Sequence, residues 1–129
     1  TLFPYTTLFR SGGSLVDMVR LTIYLELIER DNLVDQAAKN GQYLLNSIEG
    51  LQNKYPGLVS NARGKGLYCA FDLPSSNQRD KLSELLMDEG SILLGSGNYS
   101  IRFRPHLNVT TEDIDFGIDC FTRALNKLA

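Results

Sequence analysis

Ser-Ile-Leu-Leu-Gly-Ser-Gly-Asn-Tyr-Ser-Ile-Arg-Phe-Arg-Pro, residues 91–105, carries two short apolar runs, 92–94 and 101–103, on either side of Gly-Ser-Gly-Asn. Apolar runs around such a cluster predict two strands joined by a tight turn. Side chains alternate between faces along a strand, so Ile101 and Phe103 share one face and Arg102 and Arg104 the other. The arginines admit two readings. Either they lie on the solvated face of a half-buried sheet, or they meet a carboxylate, a partner that suits the planar guanidinium. The residues of this stretch leave both open.

Upstream of the stretch, Pro74-Ser75-Ser76 precedes a helix that turns Leu82, Leu85 and Leu86 inward and runs to Glu89, with Gly90 closing it. Before that, 58–63 and 67–73 read as two strands around Gly64-Lys65-Gly66. A Gly-x-Gly beside basic residues lacks the further glycines and following helix of a phosphate cradle, so it reads as a β-turn. Further back, Leu33, Ala37, Gly41, Leu44, Ile48 and Leu51 form one stripe of a helix that reaches Lys54 and stops at Tyr55-Pro56-Gly57. Glycine costs about 1 kcal/mol there against alanine, so Gly41 is expected to let another element approach closely. An earlier amphipathic helix over 15–30 has Met18, Leu21, Leu25 and Ile28 in register, with Ser14 as its N-cap and Asn32 capping the next helix. Downstream, Thr110 and Asp113 form a start resembling a capping box. It opens a helix striped by Ile114, Ile118, Phe121, Leu125 and Leu128. The order is α-α-β-β-α-β-β-α, and the fold class is α+β: a small sheet with helices on one face.

The 129 residues make one ordinary domain, with 43% hydrophobic and 22% charged residues and a net charge of −2. That charge argues against a general nucleic-acid binder, which needs a basic surface. No apolar run is long enough to cross a bilayer. Cys69 and Cys120 read as buried free thiols, which suits a reducing cytoplasm. One histidine and no Cys/His cluster exclude a structural zinc site. Residues 1–11, Thr-Leu-Phe-Pro-Tyr-Thr-Thr-Leu-Phe-Arg-Ser, show no helical stripe and resemble a translated adapter or vector scar, so the native domain is expected over 12–129. No catalytic set assembles. His106 reads as a loop residue without a nucleophile nearby. None of Lys39, Lys54, Lys65, Lys81 or Lys127 sits in the apolar setting that Schiff-base chemistry favours.

Three segments are nevertheless familiar. Gly-Gly-Ser-Leu-Val-Asp-Met-Val-Arg (12–20), Arg-Gly-Lys-Gly-Leu-Tyr-Cys-Ala-Phe-Asp-Leu-Pro (63–74) and Ser-Ile-Arg-Phe-Arg-Pro (100–105) resemble the C-terminal part of class III aminotransferases, which use pyridoxal 5'-phosphate. The resemblance implies the small C-terminal domain of a homodimeric fold-type-I transferase, with an antiparallel-rich sheet of about four strands and a leading helix. Asp-Met-Val-Arg and Cys-Ala-Phe-Asp-Leu-Pro are most similar to the branch that moves the ε-amino group of L-lysine to 2-oxoglutarate, giving 2-aminoadipate 6-semialdehyde and glutamate. The branch acting on 4-aminobutyrate comes next. In the family, the first Arg of Ile-Arg-Phe-x-Pro holds the substrate carboxylate, and it falls on Arg102. Arg104 is not general in the family and is expected behind it. The family's phosphate-binding Thr or Ser, two positions before the glycine pair, falls on Arg10, and Ser14 stands at its Asn position, so no cofactor ligand carries over. The family usually has two prolines where this chain has Pro105-His106. The Schiff-base lysine belongs to another part of such an enzyme, so this stretch alone is expected to be inactive. A stand-alone carboxylate-binding module, or a dimerisation module using the helix over 15–30, are the competing expectations.

Overall fold

The computed structural model describes residues 14–129. The glycine pair at 12–13 and the expectations for 1–11 lie outside the described residues. Helix α1 spans Leu15–Arg30, and α2 spans Leu33–Lys54. A hairpin of β1 (Ser60–Lys65) and β2 (Tyr68–Asp72) follows, then α3 (Ser76–Asp88), the pair β3 (Leu94–Ser96) and β4 (Ser100–Phe103), and α4 (Thr111–Leu128). The chain divides into two units, one ending at Val34 and one covering Asp35–Ala129.

In the first unit, Ser14 caps α1 as expected, its Oγ accepting from the Asp17 N–H at 3.4 Å. Asn32 does not cap α2 from the extended conformation that the role requires. It takes a left-handed φ of +49° and donates its N–H to the Glu29 carbonyl, so it closes α1 instead. The stripe of α1 is not buried. Met18, Leu21 and Leu25 are exposed, as are Leu15, Val16, Val19, Ile23 and Tyr24 on the remaining faces.

The second unit holds the core. Gly41, Leu44, Ile48 and Leu51 of α2 are buried, with Ala37 at the margin. A Cβ at Gly41 would stand 2.7 Å from the Gly66 Cα and closer still to its carbonyl group. Only a glycine lets α2 lie against the hairpin turn. The sheet order is β1-β2-β4-β3, antiparallel throughout. Cys69 and Phe71 of β2 and Ile101 and Phe103 of β4 face the helices and are buried. The rings of Phe71, Phe103 and Phe121 meet at centroid distances of 5.0–6.0 Å.

Two strand placements differ from the sequence expectation. β1 starts at Ser60, because Leu58 and Val59 both donate to the Tyr55 carbonyl and close the turn after α2. It runs through Gly64 and Lys65, so the hairpin turn falls on Gly66, at φ +55°, and Leu67. Likewise β3 is Leu94–Ser96 rather than 92–94, with the turn at 97–99. Gly95 belongs to the strand, where the Arg79 side chain lies over it; a Cβ would come within 2.8 Å of Arg79 Nη1.

Helix ends follow local chemistry. The Gly90 N–H donates to the Met87 carbonyl and the Ser91 N–H to that of Leu86, with Gly90 at φ +89°, the double bond of a Schellman ending. Thr110 and Asp113 form a complete capping box at α4, as their spacing predicts.

Candidate functional site

The sheet's second face carries no helix-facing core residue. Cross-strand register puts Arg63 opposite Ala70, Ala70 opposite Arg102, and Arg102 opposite Leu94, so these form one row across the face. A second row joins Ser60, Asp72, Ser100 and Ser96. Residues directly opposite share a face, so three strands, β1, β2 and β4, bring Arg63, Asp72, Ser100 and Arg102 together.

The two arginines differ in what they hold. Arg63 Nη2 donates to Asp72 Oδ1 at 2.9 Å, and its Nη1 to the Asn61 carbonyl at 2.8 Å. Asp72 also accepts from Ser100 Oγ at 2.6 Å and Asn61 Nδ2 at 2.7 Å. Burial by itself raises the Asp72 carboxyl, but the donors on Ser100, Asn61 and Arg63 outweigh it and hold the group below the usual carboxylate range. Arg102, by contrast, has no carboxylate partner among the described residues. Its Nη1 makes one long hydrogen bond, 3.4 Å, to the Tyr68 hydroxyl, and its buried Nε has no acceptor. A buried donor left without a partner costs about 1–3 kcal/mol, and a carboxylate on the guanidinium would supply charge-assisted acceptors.

Arg102 borders two hollows. One, of about 440 Å³, is lined by Arg63, Lys65, Tyr68, Ser96 and Arg102 and is open and cationic. The other, of about 240 Å³, is apolar, with Leu44, Ile92, Leu94, Phe103 and Ile118 in its wall. A molecule with an acid group and an aliphatic part suits that junction.

Of the other sequence candidates, Arg104 borders the apolar hollow together with Arg102, and His106 lies outside both hollows. Arg104 lies beyond the end of β4, exposed, and its side chain makes no hydrogen bond to Arg102. His106 is exposed in the following loop, its Nδ1 3.0 Å from Asn108 Oδ1. Both cysteines are buried and free, as expected. Cys69 borders the cationic hollow, but burial pushes its thiol up and leaves it a poor nucleophile. Among the described residues no cluster could hold a metal ion, and no helix is long and apolar enough to cross a membrane. The Asp72 network was not visible in the sequence. The i, i+2 spacing of Asp72 and Ala70 hints at a shared face, but the contact with Ser100 depends on a register between strands 28 residues apart.

Comparison with known proteins settles the family. A family model for aminotransferase class-III matches residues 11–125. The chain belongs to the class-III aminotransferases. It is 44% identical over 115 residues to the L-lysine-epsilon aminotransferase of Amycolatopsis lactamdurans, covering 88% of this chain and 26% of that protein. A 4-aminobutyrate aminotransferase of Kluyveromyces lactis is 40% identical over 100 residues, 76% of this chain and 21% of the relative. Among solved structures, a lysine aminotransferase from M. tuberculosis superimposes with a TM-score of 0.89 at 40% identity, over 92% of this chain and 27% of that one. This class-III chain thus spans about a quarter of the relatives it matches. Structural neighbours are transaminases, consistent with the α+β reading and the four-stranded sheet.

Class-III aminotransferases imply pyridoxal phosphate, and the described residues do not fit as its holders. Of the lysines, Lys65 alone borders the hollows described, at an open and exposed strand end. The buried aspartate nearest Arg102 is fully engaged by Ser100, Asn61 and Arg63. What these residues offer is an acceptor-seeking guanidinium for a substrate acid.

Proposed function

We propose that residues 12–129 are the small C-terminal domain, with its leading helix, of an L-lysine 6-transaminase. On this reading the enzyme moves the ε-amino group of L-lysine to 2-oxoglutarate, and Arg102 anchors a substrate carboxylate. The single observation that carries the role of Arg102 is its lack of an anionic partner beside an arginine that has one. The lysine assignment draws support from relatives of that name at 38–44% identity over most of the chain. Pyridoxal phosphate would supply the electron sink of the reaction from residues other than those described, so this chain by itself is inactive. Arg102 fixes where the substrate's acid group sits and thereby where its reacting end is delivered, a positioning task of the kind that accounts for much of the rate in bound reactions.

The exposed apolar residues of α1 support burial against further protein, either the rest of the enzyme or the second subunit of a homodimer. The cytoplasm is the compartment that two free thiols suit.

The test is transamination by the full-length enzyme with L-lysine and 4-aminobutyrate as competing donors and 2-oxoglutarate as acceptor. The expected result is preference for L-lysine, and a KM for the carboxylate substrate that rises at least 30-fold in Arg102→Ala. That follows from the 2–5 kcal/mol typical of losing one side of a hydrogen-bonded charge pair, at tenfold per 1.4 kcal/mol. Preference for 4-aminobutyrate would transfer the chain to that branch. An unchanged KM in a folded Arg102→Ala enzyme would remove Arg102 from the site.

A further inference from the structure

Two guanidiniums border one hollow, and a carboxylate entering it could seat on either. Arg63 and Arg102 flank Ala70 in a single cross-strand row, two strand spacings or roughly 9.6 Å apart at the backbone. Alanine between them raises no barrier. Yet the backbone of β1 is irregular at the point that decides between them. Ser60 pairs with Asp72 and Arg63 with Ala70, three steps on β1 against two on β2, so one extra residue is bulged out. Within that bulge Asn61 takes a left-handed φ of +52°. Bulges recur where a strand must re-aim a side chain, and here both products of the bulge converge on one carboxylate. The Asn61 amide donates to Asp72 Oδ2, and its carbonyl accepts from Arg63 Nη1 while Arg63 Nη2 reaches Asp72 Oδ1. Ser100 Oγ, on the neighbouring strand, donates to the same Oδ1.

From this geometry we infer that Asp72 is a positioning residue that withdraws Arg63 from the anion site, leaving Arg102, of the two, open to a substrate carboxylate. This rests on the reading of Arg102 given above and goes further by assigning the choice between the two arginines to the Asp72–Asn61–Ser100 clamp. An internal carboxylate held by three side chains is always present at its partner, whereas a substrate acid must arrive from solution. It also sets orientation. A carboxylate seated on Arg63 would be displaced by two strands from one on Arg102, enough to carry the substrate's far end away from any fixed reacting group.

The experiment follows the guanidinium Nε–H resonances of Arg63 and Arg102 by NMR in the 129-residue chain while acetate is added. The expected result is a saturable shift at Arg102 and none at Arg63 over at least a tenfold wider concentration range. In Asp72→Asn, Arg63 should begin to respond, with a midpoint within threefold of that of Arg102. A purely structural role for Asp72 would weaken folding but could not create a new anion response. Equal responses of both arginines in the native chain, or a silent Arg63 in folded Asp72→Asn, would overturn the clamp while leaving Arg102 as the anchor. Silence at both arginines in the native chain would overturn the anchor reading and the clamp with it. The native-chain comparison decides the matter even where Asp72→Asn fails to fold.

Discussion

Gly41→Ala should destabilise the second unit, although alanine is the better helix former. The added Cβ would press into the Gly66 carbonyl group and stand 2.7 Å from its Cα, against 3.4–4 Å for ordinary contact, so helix and hairpin turn must part by more than about 1 Å. The obstacle is backbone, in a turn whose Gly66 is at φ +55°, and no side-chain rotation relieves it. Overpacking of this kind costs about 1–3 kcal/mol, with rigid backbone favouring the upper end. Helix propensity returns about 1 kcal/mol, which leaves a net loss of about 2 kcal/mol. For a unit of fewer than 100 residues each kcal/mol moves Tm by about 4–8 °C, so a fall of about 8–16 °C is expected. Gly50 lies in the same helix with nothing within 4 Å of its Cβ position. Gly50→Ala should therefore raise Tm by several degrees. Thermal unfolding followed by circular dichroism measures both. If the two substitutions move Tm in the same direction, the close approach of α2 to the hairpin is not what holds Gly41 in place.

Three further outcomes are expected. Phe121→Ala removes the ring that touches both Phe71 and Phe103 across the sheet and should cost about 3–5 kcal/mol, read from urea denaturation. Asp72 has a folded-state carboxyl below its ordinary range, so its ionised form stabilises the fold fully above the unfolded value near 4 and that contribution is lost as pH falls from there through the folded value. Unfolding curves recorded over that acid window should show the stability gap between the native chain and Asp72→Asn narrowing as pH drops. Thr110→Ala breaks the capping box at the start of α4 and should cost about 1 kcal/mol, visible as a lower denaturation midpoint with unchanged slope.

The elements that could be read from sequence are those whose signal is local. Ile114, Phe121 and Leu125 fall on one stripe and are buried together, because helical periodicity is set by residues three and four apart. The capping box at Thr110 and the Gly90 ending were legible for the same reason. The strands were displaced by about two residues at β1 and β3, where the deciding contacts, Tyr55 with Val59 and Arg79 over Gly95, are made by turns and side chains outside the strand. Helix α1 reads as amphipathic yet buries no residue among those described. A periodic stripe records that a helix has a partner face, and says nothing of which chain segment supplies it.

Arg102 was legible as a strand-borne cation on the outer face, whereas Arg63 was legible only as the end of a strand. The alternating pattern alone left the role of Arg102 open, and only the family resemblance gave it the substrate carboxylate; the physical reason came from register. Pairing β2 with both β1 and β4 brings Asp72 beside Ser100, and the bulge at Asn61 swings Arg63 onto it. The sequence by itself determined the α+β order, the helix ends and the faces of the strands, because caps and periodicities act over a few residues. Only tertiary structure decided which guanidinium is neutralised and which is left for a ligand. A charge's availability depends on its neighbours in space, and here those neighbours come from three strands.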